Sequence, residues 1–376
     1  MELMQANKQW STRPDDQRFL SLTSLNDYCA SQRSHSAAKI VSSRALTVHP
    51  VQGDTEALML TGPNGAPVNV TNWSFSQLAA RAGAPAGYMR DLPAPLAADC
   101  LNYGLHHARD VAEVGVLLTK QAPIGGSPTP HTNVSTAATA RAVTGPNYGR
   151  IWNSTITQAL VNQFGDGLTG KFRVPSEFGN LDAPITKQST TLYASDRDMW
   201  VFLADEVNRI ELPHRRNGKT GTLARGFFVS NSEVGACTFV LGQFLFDYMC
   251  GNHIIWGVEE FQELRIRHTA GAPDRYIEQA RPALEAMANA SSVGMVDMLK
   301  AAQGKKVEDI DTFLNARFSK SQSSAIKAAH MADEQRPIES LWDVATGVTA
   351  YAREIQHTDQ RVQLEREAGK ILKLAA

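Results

Sequence analysis

Short β-like runs rich in apolar residues, AKIVSSRALTV and ALML, occupy positions 38–60 ahead of the turn-rich TGPNGAP, so a small sheet is expected to begin there. The stretch before it, residues 1–35, is polar and rich in Ser, Gln, Asn and Asp. It reads as a flexible, loosely attached arm with Trp10, Phe19, Leu20 and Leu22 as docking points. Farther on, Leu78, Ala79 and Ala82 fall on one helical face behind Ser74 or Ser76, either of which can cap the helix, and Pro85 ends it. A second helix is expected over 95–107 and a strand over 111–120. The segment APIGGSPTPHTNVSTAATA is so rich in Pro, Gly, Ser and Thr that it reads as a loop, placing a boundary near residue 135.

Beyond that boundary, RAVTGPNYGRI predicts a turn-containing strand pair and WNSTITQALVNQF a helix. TTLYA, DMWVFLADE and LARGFFVSN read as neighbouring strands, the second nearly all apolar and therefore buried on both faces. Between the last two lies IELPHRRNGKTGT, a polar loop longer than most hairpin loops and of the kind that carries function or disorder. CTFVLGQF alternates like a strand while Phe244, Leu245, Tyr248 and Met249 recur at helical spacing, which predicts a strand turning into a short helix. HIIWGVEEFQELRIRHT adds one or two strands, and from residue 273 the pattern is helical to the end. The expected fold class is α+β: a mainly antiparallel sheet with packed helices and an α-helical C-terminal region. Its expected parts are an arm (1–35), a small α+β region (36–135), a β-rich core (136–272) and a helical region (273–376).

Composition narrows the partners. With 43% apolar and 20% charged residues the chain is expected to fold rather than stay disordered. A formal net charge of -1 and a pI near 6.8 argue against a histone-like binder, so any polyanion must be met by a local patch. Cys29, Cys100, Cys237 and Cys250 stand far apart with no C-x-x-C pair, which fits neither a zinc ribbon nor a secreted disulfide framework. The N-terminal residues lack an apolar core of signal-peptide length, and no run approaches the ~18 apolar residues of a membrane span. A cytoplasmic protein without a membrane partner is expected.

Motifs of catalysis are weak. GDGLTGK at 165–171 matches half of a phosphate loop, but Phe172 stands where a magnesium-holding Ser or Thr belongs, so an ordinary Gly-rich turn is expected. QLAARAGAPAGYMRDL resembles a helix-turn-helix, yet its second helix offers Tyr88, Met89 and Arg90 with few base-reading side chains, which favours a packed helical hairpin. His106, His107, His131, His253 and His268 share no metal-ligand spacing, and no G-x-S-x-G elbow occurs. Glu259 and Glu260 read as a solvated pair. No catalytic residue, metal or cofactor is expected.

Two basic clusters carry the functional expectation. His214, Arg215, Arg216 and Lys219, continuing to Arg225, gather four formal positive charges in twelve residues without an acid, on a loop loosened by Gly218 and Gly221. Arg265 and Arg267, beside His268, stand two apart and so share one side of a strand. Together they could line a groove tracking a phosphate backbone, with Phe227, Tyr276 or Trp256 as stacking surfaces; solubilising charges and surface salt bridges are the plainer alternative.

The block RGFFVSNSEVGACTFVLGQFLFDYMCGNHIIWG, followed by RIRHTAG, is similar to the signature of a family of phage and plasmid proteins, number 932 among the domains of unknown function. The likeness rests on Ser230 to Ser232, Cys250 to Asn252 and Arg265 to Thr269. NYGRIWNSTITQAL resembles the family's opening strand and helix, and SLWDVATGVTAYARE its C-terminal helix, over residues ~140 to 375 in all. The resemblance implies a mobile-element context and no particular chemistry. A sheet followed by helices also resembles, at the level of fold, phage single-strand annealing proteins.

The expected function is ATP-independent binding or annealing of single-stranded nucleic acid, DNA foremost, by a chain that self-associates into a ring or filament through its C-terminal helices. The alternative is a protein-interaction or anti-defence factor that binds a host or phage protein through the basic loop and exposed sheet. A hydrolase or nuclease with a site assembled in three dimensions is a third reading.

Overall fold

The computed structural model describes residues 13–52, 57–107, 113–120, 138–175, 184–213, 215, 219–248, 252–256, 263–289, 293–355 and 358–375, and of 252–256, 358 and 359 only the backbone. The fold is α+β, as the sequence patterns predict: two sheets, mainly antiparallel, with helices against them and a helical C-terminal region.

In the larger sheet the described strands run in the order Arg18–Phe19, Leu192–Ala194, Met199–Asp205, Gly221–Asn231, Phe239–Asp247 and Asn252–Trp256. Three short strands, Phe172–Arg173, Ile210–Leu212 and Leu264–Ile266, pair with members of that path. Every residue of Met199–Asp205 and of Phe239–Asp247 is buried, so both sheet faces are covered. Val201, Leu203, Phe227, Val229 and Leu241 meet the helices Leu22–Ser34 and Asn153–Phe164 and the helical segment 272–289. At the alternate positions, Trp200, Phe202 and Phe228 stack on one another and Phe244 meets Phe202 edge-on, with Val362 of the helix Thr358–Lys373 among them.

Three expectations change. The strand from Phe239 continues to Asp247 without turning into a helix: with both faces buried, the alternation gives way to the unbroken apolar run Phe244–Phe246, whose helical spacing is fortuitous. The described part of the expected arm is folded into the core. Leu22, Leu25 and Cys29 are buried on one face of the helix Leu22–Ser34, which Ser21 and Ser24 cap reciprocally. Phe19 docks with them, Leu20 is exposed, and Trp10 lies outside the described residues. The boundary near 135 also lies outside them, but the strand Thr139–Thr144 beyond it belongs to the smaller sheet.

That smaller sheet runs Ser36–Ser42, Glu113–Thr119, Thr139–Thr144, Pro67–Val70, Leu58–Thr61, Thr47–Pro50, with one parallel pairing between Pro67–Val70 and Thr139–Thr144. The helices Asn72–Arg81 and Ala94–His107 cover one of its faces. Thr71, rather than Ser74 or Ser76, is the N-cap of the first, and Ser74 returns the bond. Among the described residues no helix is long and apolar enough to cross a membrane.

Glu365, on the last helix, is buried, and burial pushes its carboxyl up to about 7 although Arg361 Nε lies 3.0 Å from Oε1. The unfolded chain releases this proton near 4.5 while the folded chain keeps it, so the group lowers stability progressively as pH rises from about 4.5 to about 7. Glu365→Gln is expected to remove a slope of about 1.4 kcal/mol per pH unit in that window. Urea denaturation at both ends of it checks this: equal wild-type and variant pH dependence would refute the assignment.

Candidate nucleic-acid interface

The first basic cluster dissolves on folding. Arg215 is buried, with Nη2 2.8 Å from Asp247 Oδ2, Nε donating to Glu334 Oε1 at 3.0 Å, and Cζ 5.1 Å from the centre of the Trp342 ring. Arg225 is buried as well: it donates to Asp205 Oδ2 at 3.1 Å and to the carbonyls of Met287 and Ala288. The acids absent from the loop are supplied from elsewhere in the chain. Neither arginine can reach a phosphate, which corrects their assignment as nucleic-acid ligands. Lys219 is exposed, and His214 and Arg216 lie outside the described residues.

The two clusters do not meet. Val240 pairs with Arg265 at one end of the strand Phe239–Asp247, whereas Asp247, which holds Arg215, pairs with Leu223 at the other. Seven strand residues separate the two ends by about 24 Å. Phe227 and Tyr276 are buried and offer no stacking surface; the side chain of Trp256 lies outside the described residues, as do the side chains of His131, His253 and Cys250 and the Glu259–Glu260 pair.

The second cluster is exposed. Arg265 and Arg267 flank the buried Ile266 and both face outward, Arg265 carrying a surface ion pair with Glu263 at 3.0 Å. His268 is half-buried; its Nδ1 lies 3.0 Å from the Gly149 carbonyl, and its ring stacks on Tyr148 with centroids 4.9 Å apart. Burial pushes the imidazole below its ordinary pKa, so the ring is neutral at pH 7.

From this stack a ladder of alternating cations and rings extends. Arg150 Cζ lies 5.5 Å from the centre of the Tyr148 ring and 5.6 Å from that of Trp152, and Arg33 Cζ lies 5.4 Å from the Trp152 ring centre. Tyr148, Arg150 and Trp152 share one side of an extended segment because they are two apart, while Ile151 points into the core. The segment is fixed from behind. Arg150 Nε and the Asn153 N–H donate to the backbone and carboxylate of Glu233, the Tyr148 hydroxyl donates to the Ser232 carbonyl, and Glu233 also pairs with buried Arg141 at 2.9 Å.

Asn231 and Ser232 of the signature block belong to this support, and Ser230 is a buried residue of the strand Gly221–Asn231. Asn231 Nδ2 donates to Ile151 O and Asn153 Oδ1, and Ser232 Oγ accepts from the N–H groups of Val234 and Ala236. Among the described residues Arg33, Arg150, Arg267 and Arg275 form no salt bridge; Arg33 bonds only the hydroxyls of Ser154 and Thr155. No protein-family model matches this chain, and no curated protein or solved structure matches it.

The sequence reading missed Arg33, Tyr148, Arg150 and Trp152. The last three were visible as a basic residue between two aromatics at period two in NYGRIW. The phosphate-loop half-match is a turn: Gly165, Gly167 and Gly170 have φ of 69°, 72° and 90°, and Asp166 accepts from the N–H groups of Leu168 and Thr169. Among the described residues no three His, Cys, Asp or Glu side chains gather as metal ligands would.

Proposed function

We propose that the chain binds single-stranded nucleic acid, DNA foremost, along the ladder Arg33, Trp152, Arg150, Tyr148, His268, with Arg267 at its end. The observation that supports this is the alternation of aromatic rings with guanidiniums that form no salt bridge among the described residues. Trp152, half-buried, is the ring left to stack on a base of any sequence, and the guanidiniums neutralise phosphates. Base edges then stay open to a complementary strand, and annealing needs no ATP. One short ladder on a chain of net charge -1 makes few contacts, so self-association multiplies them.

Fluorescence anisotropy of a labelled single strand over a series of salt concentrations tests the reading. Arg33→Ala and Arg267→Ala, both exposed, are each expected to lower the log–log salt slope by about 0.7, and Trp152→Ala to weaken binding about 10-fold or more. Lys219→Ala should change nothing. Absence of binding at low salt, or binding indifferent to Arg33→Ala and Arg267→Ala together, removes the proposal.

A further inference from the structure

Arg33 takes part in two features. Beyond its stack on Trp152 it lines a groove of about 760 Å3 between the helix Leu22–Ser34, the helix Asn153–Phe164 and the segment 276–281. Arg281, exposed on the third of these, is the second cation of the lining, and no carboxylate joins them among the described residues. The floor carries a relay of amides. Asn26 Nδ2 donates to Gln158 Oε1 at 3.1 Å, Gln158 Nε2 donates to Asn162 Oδ1 at 2.9 Å, and Thr157 Oγ1 donates to Asn26 Oδ1. The relay ends on Asn162 Nδ2, whose N–H donors find no acceptor among the described residues.

The third wall departs from regular helix. Residues Tyr276–Ala280 form a π turn, where Pro282 has no N–H to close the ordinary bond to the carbonyl four residues back. The turn brings Tyr276, Ile277 and Arg281 to the groove. Such turns are frequent at functional sites.

We infer that this groove is a nucleotide subsite, in which Arg33 and Arg281 neutralise a phosphate and the amides of Gln158 and Asn162 meet the edge of the base. Two guanidiniums without an acid select an anion. The volume far exceeds a bare phosphate, and side-chain amides present a donor and an acceptor together, the pattern that reads base edges. Because Arg33 is shared with the ladder, the subsite rests on the strand-binding reading: it takes one nucleotide out of the stacked run. A free nucleotide offers the same chemistry, and the experiment separates the two sources.

Full-length wild type, Arg281→Ala and the double variant Gln158→Ala/Asn162→Ala are titrated with labelled homo-oligomers of dA, dC and dT, and with deoxyadenosine monophosphate alone. All three positions are exposed, so the variants keep the fold. Arg281→Ala is expected to lower the salt slope by about 0.7. The double variant is expected to hold the slope while the Kd values of the three homo-oligomers converge to within about twofold, since only the base contacts are gone. Saturable binding of the mononucleotide, lost in Arg281→Ala, assigns the groove to free nucleotide, and if oligomers then fail to bind, the strand reading alone falls. If both groove variants behave as wild type while Arg33→Ala and Arg267→Ala weaken oligomer binding, the subsite is wrong and the ladder stands. Binding of neither probe by wild type overturns both.

Discussion

Replacement of Arg215 by alanine is expected to lower the free energy of unfolding by about 3–5 kcal/mol. The side chain is wholly buried, and its two carboxylate partners are 0% and 1% exposed. Asp247 ends the central strand Phe239–Asp247, Glu334 ends the helix Lys320–Glu334, and Trp342 stands in the first turn of the helix Leu341–Glu354. One guanidinium thus ties the end of the sheet to two C-terminal helices. Burial alone would lower its pKa, but Asp247 and Glu334 overcome this and hold it above the ordinary value, so the cation persists at any pH at which the chain folds.

Truncation removes the guanidinium that two buried carboxylates share, and the cost comes from them rather than from lost contact area. Neutralising both, as Asp247→Asn and Glu334→Gln in the Arg215→Ala background, should recover part of the loss. Urea unfolding at pH 7 reads the difference. A loss under about 1 kcal/mol would mean that the triad is not buried in solution. Folded Arg215→Ala protein should bind nucleic acid as wild type does, which separates this role from the phosphate contact that its place in a basic loop suggests.

That contrast marks the limit of reading the sequence. A run of basic residues shows charge but not pairing: the partners of Arg215 lie 32 and 119 residues away, and nothing local points to them. The strands Met199–Asp205 and Gly221–Asn231 were legible because their apolar density survives burial on both faces. For the same reason the length of Phe239–Asp247 was not, since its doubly buried run Phe244–Phe246 has no polar position to mark the period. The helix Leu22–Ser34 escaped notice because Leu22, Leu25 and Cys29 make a narrow apolar face in an otherwise polar stretch. Thr139–Thr144 could not be assigned to the smaller sheet from local pattern, as its parallel partner Pro67–Val70 lies about 70 residues earlier. The ladder divides the same way: Tyr148, Arg150 and Trp152 were readable at period two, and Arg33 was not, being brought to Trp152 by the packing of one helix against another.

Gly149→Ala is expected to cost about 3 kcal/mol or more in stability and to open the ladder at its Tyr148–His268 end. Gly149 and His268 are joined by two bonds: the Gly149 N–H donates to the His268 carbonyl at 3.2 Å, and His268 Nδ1 lies 3.0 Å from the Gly149 carbonyl. A Cβ on residue 149 would land on the Thr269 carbonyl, 2.8 Å from its carbon and 3.0 Å from the Ala270 oxygen. These are backbone atoms, so no rotamer change relieves the clash and the segments carrying Tyr148 and His268 must separate. Gly145→Ala provides the control, because its Cβ would meet only the end of the Arg81 side chain at 3.6 Å, an ordinary contact. Thermal unfolding of both variants, followed by oligonucleotide titration of the folded fraction, distinguishes the consequences. Wild-type stability in Gly149→Ala would refute the close approach itself. Lost stability with wild-type affinity would instead show that strand binding does not use the Tyr148–His268 end, confining it to Arg33, Trp152 and Arg150.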